Sequence, residues 1–140
     1  KFNIKWWFYR NKLMEEKIKT IAIFMGLFQD DKGFWGFKNT PERQRCHSDK
    51  IKDIYQYDRD WNWLMEVVEK IESIKDSYHG RFGVYISANS CTIQSTNFRP
   101  DKPIPNPPHY YDNIVLNTKI ESTYYSVLNF INFYNKQKEE

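Results

Sequence analysis

The two cysteines and three histidines of this sequence are its first candidates for metal binding or nucleophilic chemistry: Cys46, His47, His79, Cys91 and His109. Zinc sites are usually marked by closely spaced ligands such as C-x-x-C or H-E-x-x-H, and the sequence contains neither motif. The adjacent pair Cys46-His47 would direct its two side chains apart in any regular structure. We therefore expect no metal site and no bound cofactor.

A nucleophilic pair of Cys91 with His79 or His109 is the enzymatic arrangement that the sequence offers. A catalytic cysteine needs a lowered pKa, usually from a neighbouring positive charge. Cys91 instead lies in a segment where apolar and polar residues alternate, which is typical of a buried strand cysteine. We therefore assign no catalytic residue and expect a non-enzymatic protein. A cysteine- or histidine-dependent hydrolase is the enzymatic alternative.

Aromatic and basic side chains occur together between residues 34 and 45, at Phe34, Trp35, Arg43 and Arg45. Tryptophan and arginine are enriched at binding hot spots, and loops on a fixed scaffold often carry specificity. Aromatic rings beside cations also suit the stacking of single-stranded nucleic acid. We predict these four as binding residues. The alternative is that the two rings cap one end of the core and the arginines are solvated.

The positive charge of the chain is concentrated at its beginning. The sequence has 21 basic and 18 acidic residues, and four of the basic ones lie in residues 1–13, which contain no acid. The remaining residues carry a net charge of −1, which argues against a general attraction to phosphates. We expect residues 1–13 to be an upstream extension or a disordered leader, and residues 14–140 to form a single α+β domain that starts at Met14.

Three helices are predicted around the candidate residues. Apolar residues recur at helical spacing over 15–28 and over 61–74, and an aspartate before the second segment can cap it. Thr118 and Glu121 form a capping box that begins the final helix.

A small sheet completes the prediction. Strict alternation over 82–86 and 91–95 predicts a hairpin, and a last short strand is expected within 110–116. A short strand is also expected at 34–37. Five of the six prolines lie in 97–109, which we expect to be an extended connection. The fold class is therefore α+β, with three helices packed on a small, mainly antiparallel sheet.

Three sequence blocks resemble known proteins: IKTIAIFMGLF at 18–28, DWNWLMEVVEKIES at 60–73 and TKIESTYYSVLNFINFYN at 118–135. Together they resemble small uncharacterised phage and prophage proteins of Bacteroidetes-type bacteria, which are similar to the phage ABA-sandwich domain. The resemblance implies an α/β/α sandwich and a phage origin. It implies no catalytic residues.

These observations favour a phage accessory or interaction protein that binds a host protein or a small molecule, for example to blunt host defence. A nucleic-acid-binding module is the alternative. The expected location is the cytoplasm of a bacterial host. The longest apolar run, residues 21–28, is far shorter than the roughly 20 residues of a membrane span, so we expect no membrane partner.

Overall fold

The structure is a computed structural model that describes residues 3–139. The chain divides into two compact units, Lys1–Tyr57 and Asp58–Glu140. The described residues form four α-helices and two small antiparallel sheets, which confirms the α+β class. The expected number of three helices is corrected to four. The additional helix is only one turn long, so no apolar repeat in the sequence marks it.

The first unit begins with the long helix α1, Ile4–Phe24. The side chain of Asn3 caps it by accepting a hydrogen bond from the backbone N–H of Trp6 at 3.2 Å. The helix ends before Gly26, whose positive φ of 111° redirects the chain. The helix predicted over 15–28 begins and ends earlier than expected, and periodicity misses its first half because only its second half has an apolar stripe.

Residues 4–13, expected to lie in an extension or a disordered leader, form the first half of α1. Residues 1 and 2 of that segment lie outside the described residues. The apolar side chains of residues 4–13 are distributed around the helix rather than along one side, so periodicity does not reveal it.

The rest of the first unit is a compact loop structure. Strands β1, Phe28–Gln29, and β2, Trp35–Gly36, pair antiparallel. Two 3-10 turns follow, Glu42–Gln44 and Ser48–Lys50, and lead into the short helix α2, Ile51–Ile54, which contacts α1.

The second unit contains the two helices that the sequence marks most clearly. Helix α3, Trp61–Ser73, begins after Asp60, which accepts a hydrogen bond from the N–H of Asn62 at 2.8 Å. Helix α4, Lys119–Lys138, begins at the predicted capping box, where Thr118 accepts from the Glu121 N–H at 3.2 Å. Both helix starts agree with the prediction.

Three antiparallel strands form the sheet of the second unit: β3, Phe82–Ile86, β4, Ser90–Ser95, and β5, Tyr111–Val115. The order is β3-β4-β5, with Val84 opposite Ile93 and Cys91 opposite Ile114. Helix α3 contacts β3, helix α4 contacts β4 and β5, and the two helices contact each other. The core residues Leu64, Ile71, Ile93, Val127 and Ile131 are fully buried.

None of the helices within residues 3–139 has the length and apolar character needed to cross a membrane.

Candidate functional site

The loop of residues 30–47 in the first unit, hereafter the aromatic loop, is organised by the carboxylate of Asp30. Oδ1 of Asp30 accepts hydrogen bonds from the backbone N–H groups of Lys32 (3.0 Å) and Phe34 (2.9 Å). Oδ2 lies 3.3 Å from Nη1 of Arg45, and the Asp30 and Arg45 side chains are only 8% and 17% exposed. The Phe34 N–H lowers the pKa of the Asp30 carboxyl, and the hydrogen bond from Arg45 acts in the same direction. The carboxylate thus fixes the path of the loop.

Arg45 makes two further contacts, one within the aromatic loop and one with Phe28 of β1, and it packs closely on Gly36. Its Nε donates to the carbonyl oxygen of Thr40 at 3.3 Å, and its guanidinium lies 5.0 Å from the centre of the Phe28 ring. A Cβ at Gly36 would stand only 2.7 Å from Cγ of Arg45, so the close approach depends on this glycine. Among the predicted binding residues, Arg45 is the one whose charge is paired inside the loop, with Asp30.

The backbone of Trp35 is hydrogen bonded to Cys46 along one edge of its strand. Its N–H donates to the Cys46 carbonyl at 2.7 Å, and its carbonyl accepts from the Cys46 N–H at 2.9 Å. On the other edge it pairs with Gln29 across the β1–β2 ladder. The side chain is half-buried, and Nζ of Lys19 lies 4.3 Å from the ring centre, a cation–π distance. Trp35 therefore presents a partly accessible ring that carries a cation.

The structure places the other two predicted residues in the same loop. Phe34 is half-buried, with its ring 4.8 Å from that of His47, and Arg43 is exposed on the first 3-10 turn. Neither ring is fully enclosed and neither is largely exposed. The arrangement therefore decides neither for exposed binding rings nor for rings that only cap the core. Binding by these residues stays a prediction.

Sequence reasoning missed Lys19, the cation that reaches Trp35. It lies sixteen residues earlier on α1, and nothing in its spacing marks it. Asp30 pairs with Arg45, a contact that the sequence does not indicate. The single available signal is the aspartate before a glycine-containing turn, which predicts the turn but not its distant partner.

A groove of about 590 Å³ lies beside the aromatic loop, lined by Met25, Gly26, Phe37, Lys38 and Asn39. Its walls combine an apolar side chain, an aromatic ring and one ammonium group. The Phe37 ring packs edge-on against Tyr55 at 5.3 Å, which fixes that wall. Such a groove can accept an apolar or acidic side chain of a partner.

The two cysteines are buried thiols. Burial raises the pKa of Cys46, and the nearby Asp49 carboxylate raises it further. Burial also raises the pKa of Cys91. Cys91 lies in β4 opposite Ile86, and its carbonyl oxygen accepts a hydrogen bond from the Ser126 hydroxyl at 3.4 Å. A raised pKa disfavours the thiolate that a nucleophile needs.

His79 is a buried core residue of the second unit. Its Nδ1 accepts a hydrogen bond from the Tyr110 N–H at 3.2 Å, and Nε2 lies 3.2 Å from the side-chain amide of Gln137. The His109 ring is 5.8 Å away between ring centres. Burial lowers the pKa of His79, and the hydrogen bond that Nδ1 accepts requires that nitrogen to be unprotonated. The ring contributes to packing, since both nitrogens have protein partners.

Within residues 3–139, no group of three or more histidine, cysteine or acidic side chains could hold a metal ion. No family model, curated protein or solved structure matches the chain.

Proposed function

We propose that the protein is a binding protein without catalytic activity, which engages a partner protein through the aromatic loop with Trp35 as the anchor. The observation that carries this proposal is the state of Trp35: its ring is partly accessible, and its backbone is hydrogen bonded to Cys46 and lies opposite Gln29 in the β1–β2 pair. A side chain on a backbone that is already ordered loses less conformational freedom on binding. Tryptophans of this kind are typical hot-spot residues.

The charges around Trp35 favour a partner surface with acidic groups. Lys19 lies on the ring, Lys38 lines the adjacent groove, and Arg43 is exposed. The first unit contains twelve basic and seven acidic side chains, a net charge of +5, of which residues 1–13 contribute +4. Complementary charge accelerates association and fixes the orientation of the partner.

The resemblance described above supplies the biological setting of the proposal. We infer a phage accessory protein that acts in the cytoplasm of a bacterial host, with a host protein as its partner. The α/β/α sandwich is part of the same proposal, and α3 and α4 are helices that contact the sheet of the second unit.

A nucleic-acid-binding module is the second candidate, and the contact between Lys19 and the Trp35 ring is the observation that favours it. A base could stack on the ring while the ammonium group pairs with a phosphate. Such binding would weaken steeply as the salt concentration rises. Gel shifts with single-stranded oligonucleotides at two salt concentrations distinguish the candidates.

The proposal is tested by capture from a bacterial host lysate, identification of the captured protein, and titration of the purified partner. Trp35→Ala and Arg43→Glu should each lower the affinity at least about tenfold, the loss expected for a hot-spot residue. Trp61→Ala removes an exposed tryptophan of α3 and is the matched control. An affinity unchanged by both loop variants would refute the site.

A further inference from the structure

The first half of α1 exposes an unusual amount of apolar surface. Seven of the eleven residues from Ile4 to Met14 are apolar or aromatic and at least 38% exposed: Ile4, Trp6, Trp7, Phe8, Tyr9, Leu13 and Met14. We call residues 4–14 the aromatic helix segment. Exposed apolar patches of this kind mark surfaces that another molecule covers.

The aromatic side chains point to all sides of the helix. Successive residues are separated by about 100°, so the run Trp6-Trp7-Phe8-Tyr9 samples the whole circumference. Trp6, Phe8 and Tyr9 are 58%, 60% and 67% exposed. A protein groove would cover one side of such a helix and leave the others in water. A fluid layer into which the helix sinks can cover most of them.

All charged side chains of the aromatic helix segment are basic. Lys5, Arg10 and Lys12 lie within it, and the first acidic residue of the chain is Glu15. The guanidinium of Arg10 lies 5.5 Å from the centre of the Trp6 ring, so cation and ring occupy the same part of the surface. Long basic side chains can reach a charged layer while their neighbours are buried. This charge is complementary to an anionic surface.

We propose that the aromatic helix segment docks on the surface of an anionic phospholipid membrane. Tryptophan and tyrosine partition to the interface between headgroups and acyl chains, and each lysine or arginine near an anionic bilayer adds attraction. The short apolar runs of the sequence, from which no membrane partner is expected, exclude a spanning helix. Docking on a membrane surface needs no long apolar run.

Single-stranded nucleic acid fits the same segment less well. Bases can stack on the rings of Trp6 and Tyr9, and phosphates can pair with the basic side chains. The aliphatic side chains of Ile4, Leu13 and Met14 would stay in water, although they are 59%, 42% and 38% exposed. A membrane interface accommodates both the aromatic and the aliphatic groups.

The test uses the full chain and two kinds of vesicle, pure phosphatidylcholine and phosphatidylcholine mixed with phosphatidylglycerol. Binding is followed by co-sedimentation and by the blue shift of tryptophan emission. Two variants separate the contributions: Trp6→Ser with Trp7→Ser, and Lys5→Gln with Arg10→Gln and Lys12→Gln. Tyr85→Ser with Tyr111→Ser removes two exposed rings of the second unit and is the matched control.

We expect binding to the anionic vesicles that weakens with salt and is much weaker on pure phosphatidylcholine. The triple charge variant should lose roughly 100-fold in partitioning, and the tryptophan variant should lose the blue shift. The control should bind like the wild type. Absence of vesicle binding would overturn the proposal, as would equal binding to both vesicles or equal loss in the control. Binding of an oligothymidine through these residues without vesicle binding would overturn it in favour of nucleic acid.

Discussion

Asp30 and Arg45 form an ion pair at the base of the aromatic loop, with 3.3 Å between Oδ2 and Nη1, and both side chains are largely buried. Trp35 lies between them in sequence, and its backbone is hydrogen bonded to Cys46, the residue that follows Arg45. The ion pair therefore joins the two ends of the segment that carries Trp35, fifteen positions apart. The first two predictions test how much this contact stabilises the loop.

Asp30→Asn should lower the melting temperature and loosen the aromatic loop. The amide oxygen of the asparagine can still accept from the Lys32 and Phe34 N–H groups, but the charge opposite Arg45 is lost. Because the pKa of Asp30 is lowered in the folded state, its contribution is present above the unfolded value of about 3.9 and is lost as the pH falls through the lower folded value.

The comparison is a thermal melt of the wild type, Asp30→Asn and the exposed neighbour Asp31→Asn at neutral pH. Asp31→Asn should melt like the wild type. Identical melts for the two variants would contradict a structural role for the ion pair.

Gly36→Ala should destabilise the protein by about 1–3 kcal/mol, the usual cost of inserting a methyl group into a packed site. The new Cβ would stand 2.7 Å from Cγ and 3.2 Å from Cδ of Arg45, whose far end is held by Asp30. The clash with Arg45 disappears if Arg45 is shortened, and only the 3.2 Å approach to Cβ of Thr40 remains. Gly36→Ala combined with Arg45→Ala should therefore cost clearly less than the sum of the two single variants.

Urea denaturation of the wild type, the two single variants and the double variant measures the coupling free energy between positions 36 and 45. Additive costs within about 0.3 kcal/mol would show that the two residues do not constrain each other.

The sequence predicts the second unit well because its signals are local. Asp60 and the pair Thr118 and Glu121 mark helix starts within a few residues, and strict alternation marks the hairpin. These features depend on neighbours in sequence, which a pattern can show.

The first unit was predicted less completely, for physical reasons that can be named. The first half of α1 has apolar residues on every side, so no stripe indicates a helix. Lys19 reaches the Trp35 ring and Arg45 reaches Asp30 only after the loop has folded. Residue types in the sequence suggest a binding loop, but the partners of each side chain follow from tertiary structure.

The core of the second unit predicts how much stability is lost when a buried side chain is shortened. Leu64→Ala in α3 and Ile131→Ala in α4 should each destabilise by about 2–5 kcal/mol, through lost transfer energy and the cavity left behind. Both side chains are fully buried, whereas Ile104 is 82% exposed. Ile104→Ala is therefore the control and should melt within about one degree of the wild type. Wild-type melting of both core variants would refute the helix-on-sheet packing.

His79 should make the protein less stable in mild acid. Burial lowers its pKa, the His109 ring acts in the same direction and the Asp76 carboxylate opposes both. The unfolded state therefore takes up the proton first, so stability falls as the pH drops below the unfolded value of about 6.5 toward the lower folded value. Protonation of Nδ1 would also break its hydrogen bond with the Tyr110 N–H.

His79→Gln should remove this part of the pH dependence while retaining a polar side chain. Urea midpoints at about pH 7.5 and about pH 5 measure it, since that window spans the unfolded value. An equal loss of stability in the variant and the wild type would assign the acid sensitivity to other groups.

Site-specific photocrosslinking in the bacterial host measures most directly whether the aromatic loop binds a partner protein. A photoreactive phenylalanine derivative replaces Asn39, which is exposed on the aromatic loop, or Glu69, which is exposed on α3. Position 39 should give one discrete protein adduct that Trp35→Ala removes, while position 69 gives none. Adducts of equal yield at both positions, or no adduct at position 39, would contradict the proposal that the aromatic loop binds a partner protein.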